Sequence, residues 1–217
     1  METIKLRPVD IERDFSELAV LFSLEDEPIT EPALIEDYKE HQDRIFCLQV
    51  AENDKDEFLG FNWATRSRFK ETDAFFYIIV RPEQRRQGAG KRLYEDLEES
   101  ARSTGIQRLE ASVRDNRPEC LSFAYSCGFT DRSHSLGMEL DLSSFNDHDY
   151  DETIARLKSE GFLFSSMEEL GNTEDAQRKL YTLNNTTGLE TPGAEGMQFW
   201  LDFEDFQKKV CQASWYK

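Results

Sequence analysis

The stretch that most constrains the fold is an apolar run followed by a glycine-rich turn and an amphipathic segment. Ala74–Val80 holds seven apolar residues without alternation. This pattern predicts a short strand buried on both faces, and Pro82 would end it. The apolar residues after the turn recur at helical spacing: Leu93, Tyr94, Leu97 and Ala101. The chain therefore contains a strand, a turn and a helix in direct succession.

The glycine turn, Arg85–Lys91, leaves the start of this helix without its usual cap. A helix beginning near Ala89 has unpaired amides in its first turn, yet neither residue before it is a Ser, Thr, Asp or Asn. Lys91 and Arg92 put positive charge where the helix dipole favours a carboxylate, a mismatch of roughly 0.3–1 kcal/mol per charge. A bound phosphate would remove both faults. The alternative is a glycine-rich turn whose basic side chains are simply solvated.

The charge around the turn is opposite in sign to that of the whole chain. The 217 residues carry a formal net charge of −18. Such acidity argues against general nucleic-acid or anionic-membrane binding and mainly ensures solubility, although an acidic cleft would also attract a cationic amine. Between Arg81 and Arg92, by contrast, five basic residues stand against Glu83 alone. Because Gly88 and Gly90 also allow close backbone approach, the turn favours a phosphate-bearing ligand.

The Arg-x-x-Gly-x-Gly sequence at residues 85–90, directly after a strand, resembles the coenzyme A signature of the GNAT superfamily of N-acetyltransferases. That signature is written Gln/Arg-x-x-Gly-x-Gly/Ala. Two other nucleotide motifs fit worse. A P-loop needs Gly and Ser or Thr where Arg85 and Arg92 stand, and a dinucleotide fold needs Gly where Leu93 stands.

The remaining patterns follow the GNAT order of elements through residue 142. The predicted strands are Thr3–Val9, Arg44–Glu52, Phe58–Ser67, Arg108–Val113, Thr130–Ser135 and Leu136–Leu142. The predicted helices, besides that after the turn, are Asp10–Phe22, Pro32–Gln42 and Cys120–Cys127, the last ending in Gly128-Phe129. The expected fold is α+β, with a mixed, largely antiparallel GNAT-type sheet flanked by helices.

Two domains are expected: residues 1–142 as a GNAT acyl-CoA-binding domain and residues 143–217 as a linker plus an incomplete second repeat. The C-terminal part predicts helices at Thr153–Glu160, Thr173–Leu183 and Asp202–Ala213, a strand at Phe162–Ser165 and a loop at Asn184–Gly196. This order resembles the start of a second domain in tandem GNAT proteins. A C-terminal extension peculiar to this chain remains the alternative, because the turn motif does not recur.

The resemblance implies that acetyl-CoA is the co-substrate. The thioester would pair with the backbone of the central strand, and the pyrophosphate would lie on the amides of the glycine turn. The residues expected to bind it are Ile78, Ile79, Val80, Arg85, Arg86, Gln87, Gly88, Ala89, Gly90, Lys91 and Asn116. The last is near the position of an Asn that contacts the pantetheine arm in the family. The three His and four Cys show no metal-ligand spacing, so no metal is expected.

The expected catalytic residues depart from the family pattern. The family acid is commonly a Tyr at the position held here by Ala124, and the adjacent Tyr125 points about 100° away on a helix. Tyr125 is therefore a candidate acid, or else a core residue. A frequent family base is a Glu where Ser112 stands, and Glu110 shares its face of the strand.

Three functions remain open from the sequence. The first is an N-acetyltransferase that moves acetyl from acetyl-CoA directly to a primary amine of a small molecule or peptide. The second is a catalytically weak acyl-CoA-binding module with a regulatory or structural role, which the changes at Ala124 and Ser112 favour. The third is a scaffold without ligand. No run of signal-peptide or membrane-span length is present, so a cytoplasmic protein is expected, without nucleic-acid or membrane partners and with a homodimer left open.

Overall fold

The computed structural model describes residues 3–25, 28–68, 70–191, 200, 202–213 and 216. Its internal contacts divide the chain into two units, Met1–Arg117 and Pro118–Lys217, and each is described separately. The expected domain boundary at residue 142 stays a prediction. No helix in the described ranges combines the length and the apolar character needed to cross a membrane.

The described residues of the first unit form a five-stranded sheet in the order β1-β2-β3-β4-β5. The strands are β1 Lys5–Pro8, β2 Ile45–Glu52, β3 Phe58–Arg66, β4 Asp73–Val80 and β5 Arg108–Glu110. The first three pairings are antiparallel and the pairing of β4 with β5 is parallel. The helices are α1 Ile11–Glu25, α2 Glu31–His41 and α3 Ala89–Ser103. This architecture confirms the mixed, largely antiparallel α+β sheet expected from the sequence.

The core of the first unit lies on both sides of β4, because successive strand residues face opposite ways. Ile79 packs into the cluster formed by α1, α2 and the sheet, whereas Ile78 and Val80 pack against the cluster that contains α3. The prediction of a strand buried on both faces needs one correction. Phe75 and Tyr77 are 51% and 48% exposed, although Ile79 on the same face is buried and the ring of Phe22 lies 5.1 Å from that of Tyr77, so the helices cover this face mainly at its Ile79 end.

A buried amide ties the sheet to α3. Leu93 and Leu97 are fully buried on the helix face that meets the sheet. Asn62, also fully buried, donates to the Leu93 carbonyl at 3.0 Å, and its Oδ1 accepts from the Gln49 amide at 2.8 Å. Because every polar atom of a buried side chain needs a partner, Asn62 fixes α3 in one position on the sheet.

The described residues of the second unit are helical or irregular. Its helices are α4 Pro118–Ser126, α5 Asp151–Ser159, α6 Glu174–Leu189 and α7 Phe203–Phe206, the last continued by one π-helical turn, Gln207–Cys211. Phe206 is fully buried, with the rings of Tyr181, Trp200 and Phe203 within 5.2–6.5 Å of its own. This aromatic cluster is the local core of the unit.

Several predicted elements are wrong. Thr130–Ser135, Leu136–Leu142 and Phe162–Ser165 form no strands, because a strand needs neighbouring backbone to pair with and these segments have no ladder. The fifth strand ends at Glu110 rather than Val113. Helix α6 continues to Leu189 through the first part of the predicted loop, whose residues 192–196 lie outside the described ranges.

Candidate functional site

The sheet opens beside β4. β5 pairs with β4 only from Asp73 to Phe75, whereas β3 pairs with β4 as far as Val80. Beyond Phe75, the described strands therefore continue the ladder on the β3 side alone. An extended ligand can lie along the other edge of β4 and bond to its backbone.

Gly60 allows β3 to approach β4 closely at the end of the ladder. A Cβ at Gly60 would lie 2.4 Å from the Ile79 carbonyl oxygen and 2.8 Å from the Val80 Cα, distances that no side chain tolerates. This residue is not among the site residues expected from the sequence. A glycine inside a strand pattern is the signal that could have indicated it. Gly60 thus helps to set the backbone position of Ile79 and Val80, two of the predicted cofactor residues.

The glycine turn connects β4 to α3 through two residues with left-handed backbone. Arg86 has a φ of 65° and Gly88 a φ of 100°. A positive φ is uncommon for a residue with a side chain as large as that of Arg86, and such strain costs about 1–3 kcal/mol. Arg85 stabilises the turn, because its Nε donates to the carbonyl of Val80, the last residue of β4, at 3.1 Å.

The N-terminus of α3 is open. The first hydrogen bond of the helix runs from the Arg92 amide to the Gly88 carbonyl at 3.0 Å, and no side chain caps Gly88. In the described part of the chain, no backbone or side-chain acceptor is bound by the amides of residues 86–91. Several donors and the positive end of the helix dipole therefore share one exposed turn, which is a binding arrangement for an anion.

Two carboxylates of α1 neutralise part of the basic charge around the turn, and neither is among the site residues expected from the sequence. Glu17 pairs with Arg81, and Glu25 pairs with Arg85. The two acidic residues are eight positions apart on α1 and so lie on the same helix face, the one signal that the sequence contained. Among the described residues, Arg86 and Arg92 make no ion pair. Lys91 is 78% exposed, with its Nζ 3.9 Å from Glu95.

Asn116 and Glu110 both lie in the first unit. Asn116 is exposed, and the next residue, Arg117, donates to the Leu24 carbonyl at 3.4 Å and lies 3.9 Å from Glu25. Glu25 therefore links the Asn116 segment to Arg85. Glu110 ends β5 opposite Phe75, so Ile78 is three residues further along β4, roughly 10 Å away.

Tyr125 lies on α4 in the second unit and is half exposed, so it is not a core residue. Its hydroxyl donates to both carboxylate oxygens of Asp131, at 3.0 and 3.2 Å. This hydrogen bond and the negative charge of Asp131 raise the pKa of Tyr125. The phenol therefore stays protonated, as a general acid must, but it releases its proton less readily.

Comparison with known proteins identifies the family. The model of the acetyltransferase (GNAT) family matches residues 11–129. The chain belongs to the GNAT acetyltransferase family. A search of curated proteins finds no match.

Solved structures share the fold at low sequence identity. Aminoglycoside N-acetyltransferase AAC(6')-Iy in complex with CoA has a TM-score of 0.53 and 15% identity, over 64% of this chain and 96% of that one. Salmonella typhimurium yncA with its cofactor acetyl-CoA has a TM-score of 0.51 and 17% identity, over 60% and 81%. Arabidopsis thaliana glucosamine-6-phosphate N-acetyltransferase has a TM-score of 0.50 and 16% identity, over 64% and 100%.

Proposed function

We propose that this protein is an acetyl-CoA-dependent N-acetyltransferase that acts in the cytoplasm on a primary amine of a small molecule or peptide. The observation that carries the proposal is the uncapped start of α3, whose amides at residues 86–91 are open beside the unpaired edge of β4. The coenzyme pyrophosphate binds these amides and the thioester lies along Ile78–Val80. The GNAT structures named with CoA and acetyl-CoA support this assignment.

The reaction is a direct transfer. The neutral amine attacks the thioester carbonyl, a C–N bond forms, and backbone N–H groups of β4 stabilise the oxyanion. The C–S bond then breaks, the nitrogen loses a proton and the coenzyme thiolate gains one. Tyr125 is the candidate acid and Glu110 the candidate base, and a positioned acid or base contributes about 10²–10⁴-fold.

A second candidate function is a catalytically weak acyl-CoA-binding module with a regulatory or structural role. Two observations favour it. Ala124 occupies the usual position of the acid, and the Tyr125 hydroxyl is engaged with Asp131. In this function the coenzyme site is retained while turnover is lost.

Coenzyme binding is tested by ligand-induced thermal stabilisation. We expect acetyl-CoA at 100 times its Kd to stabilise the wild type by about 2.7 kcal/mol. Lys91→Glu should remove most of this stabilisation, because it puts a carboxylate beside the phosphates. Arg102→Glu is the matched control: it makes the same charge reversal at the other end of α3, where Arg102 is 75% exposed.

Gly90→Glu provides a second variant that adds both bulk and negative charge to the turn. If Lys91→Glu and Gly90→Glu both keep the full acetyl-CoA stabilisation with an unchanged circular dichroism spectrum, the site assignment is wrong. If the control loses as much as Lys91→Glu, the effect is one of overall charge, and the turn is not the site.

Catalysis is tested by Tyr125→Phe, assayed with a panel of amines at saturating acetyl-CoA. We expect kcat to fall about 10²-fold with little change in coenzyme affinity. Ala124→Tyr restores the usual family acid and should raise the rate of the Phe variant. A wild type that binds acetyl-CoA without acetylating any amine would support the second function. A wild-type kcat of about 1–10³ s⁻¹ that Tyr125→Phe leaves unchanged would show that another group is the acid.

A further inference from the structure

A pocket of about 370 Å³ opens in the first unit between α1, α2 and the β3–β4 ladder. Its lining residues are Phe22, Ile29, Leu34, Asp37, His41, Arg44, Trp63, Thr65 and Tyr77. None of them belongs to the glycine turn or to the Ile78–Val80 segment. Its size lies in the range of small-molecule sites, and its lining is mostly apolar with a few polar groups, as in such sites.

The floor of the pocket is aromatic. Trp63 and Tyr77 are directly opposite each other in the β3–β4 register. The ring of Phe22 lies 6.0 Å from that of Trp63 and 5.1 Å from that of Tyr77, both edge to face. Because Tyr77 is 48% exposed, an apolar ring surface on β4 is left open to a ligand with a flat body.

Among the described residues, the wall of the pocket carries one carboxylate. Asp37 on α2 is 54% exposed, and its Oδ1 lies 3.1 Å from the His41 Nδ1. The guanidinium in the lining, that of Arg44, donates from Nη1 to the Arg66 carbonyl at 3.3 Å and so is held at the end of β3. A carboxylate beside electron-rich rings is suited to an ammonium ion, which both groups attract.

The pocket adjoins the proposed thioester position. Tyr77 immediately precedes Ile78, the first residue of the segment along which the thioester is proposed to lie, and one strand residue spans roughly 3.3 Å. A ligand seated on the rings of Trp63 and Tyr77 is therefore within roughly 10 Å of that segment along the strand. Tyr77 and the Ile78–Val80 segment both lie on β4, the strand along which the coenzyme thioester is proposed to bind.

We infer that this pocket binds the acceptor, and that the acceptor is a primary amine with a flat apolar body. The rings of Phe22, Trp63 and Tyr77 contact the body, and Asp37 attracts the ammonium form as it enters. The inference rests on the proposed function, since it names the acceptor class for that reaction. It adds a specificity determinant on α2 that is separate from the coenzyme turn.

Isothermal titration of the full chain with 2-phenylethylamine tests this directly. We expect saturable binding to the wild type, and binding at least tenfold weaker for 2-phenylethanol, which lacks the cation, and for ethylamine, which lacks the ring. Asp37→Asn should weaken the amine about tenfold, an amount equal to about 1.4 kcal/mol. Glu36→Gln is the matched control, because it removes the same charge from an exposed neighbouring position outside the pocket lining.

Tyr77→Leu tests whether the aromatic ring surface contributes to amine binding. The circular dichroism spectrum and thermal midpoint of this variant report whether the fold is kept. We expect weaker amine binding from a folded variant. The inference would be overturned by equal affinities for 2-phenylethanol and 2-phenylethylamine or by equal losses of affinity in Asp37→Asn and Glu36→Gln. Tighter binding of phenylalanine than of 2-phenylethylamine would also overturn it. A chain that binds acetyl-CoA but no amine in this pocket leaves the proposed function standing without the inference. A chain that binds the amine but not acetyl-CoA would keep the pocket as an amine site but overturn the proposed function, and with it the role of the amine as acceptor.

Discussion

The two units of this chain differ in how they bury apolar side chains. In the first unit, Phe15, Phe61 and Leu97 come from a helix, a strand and another helix, and all are fully buried. In the described part of the second unit, the buried apolar residues are Ala176 and Phe206. The first unit is thus held by contacts between distant parts of the chain, whereas the described residues of the second unit bury little apolar surface beyond the aromatic cluster around Phe206.

The difference shows what an apolar pattern can and cannot produce. One segment of the second unit alternates apolar and other residues as in a half-buried strand, yet its apolar side chains are 63–93% exposed and form no ladder: Leu136, Met138, Leu140 and Leu142. A helix satisfies its backbone within its own segment, whereas a strand needs a neighbour. The same alternation in the first unit becomes a sheet because five segments pair with one another.

Cysteine alkylation should give the largest contrast between the units. Cys47 in β2 is 4% exposed, and burial raises its pKa to about 12. At pH 8 its thiolate fraction is about 10⁻⁴, so it should react about 10³-fold more slowly than an ordinary thiol. Cys120, Cys127 and Cys211 are partly exposed and should react first. Mass spectrometry of timed samples, with and without urea, measures the four rates.

Two outcomes would break this contrast. Rapid alkylation of Cys47 without urea would show that the first unit opens far more readily than its core contacts indicate. Protection of Cys120, Cys127 and Cys211 together would show that the second unit is packed more tightly than the exposure of its side chains indicates.

A matched pair of leucine substitutions should give a smaller difference. Leu97→Ala removes a fully buried side chain from α3 and should lower the free energy of unfolding by about 2–5 kcal/mol. Leu140→Ala alters a side chain that is 63% exposed, so the change should stay within about 0.5 kcal/mol. Urea unfolding followed by circular dichroism provides both values. A loss at Leu140 equal to that at Leu97 would mean that the second unit also has a cooperative core.

Local patterns predicted the central part of the fold well. β4, the glycine turn and α3 follow from an unbroken apolar run, two glycines and helical spacing, each readable within a few residues. The end of α6 did not follow, since Asn, Thr and Gly suggested a loop after residue 183. In the structure, three threonine hydroxyls of α6 donate to the carbonyls four residues earlier, so these polar side chains are satisfied within the helix: Thr182, Thr186 and Thr187.

The candidate site could be predicted only where its residues are consecutive. The partners of Arg81 and Arg85 are 64 and 60 positions away, on α1. Local spacing does not indicate such pairs, so the free positive charge at the turn is smaller than the sequence alone suggested. The aromatic pocket was missed for the same reason, because its rings come from α1, β3 and β4.

The smallest expected effect comes from removing one helix cap in each unit. Thr30 Oγ1 accepts from the Ala33 amide at the start of α2, at 3.4 Å, and Thr173 Oγ1 accepts from the Ala176 amide at the start of α6, at 3.3 Å. Removal of such a cap costs about 1 kcal/mol. Thr30→Ala should lower the stability of the first unit by this amount, because α2 contributes the buried Leu34 to its core.

Thr173→Ala should instead act locally, since α6 buries only Ala176 among its described side chains. We expect faster amide exchange in the first turn of α6 and an unchanged unfolding midpoint for the first unit, both followed by hydrogen exchange in urea. Serine at either position keeps the hydroxyl and should restore wild-type behaviour. Equal loss of first-unit stability in Thr30→Ala and Thr173→Ala would mean that the units unfold together, because a local cap can reach a distant core only through cooperative packing.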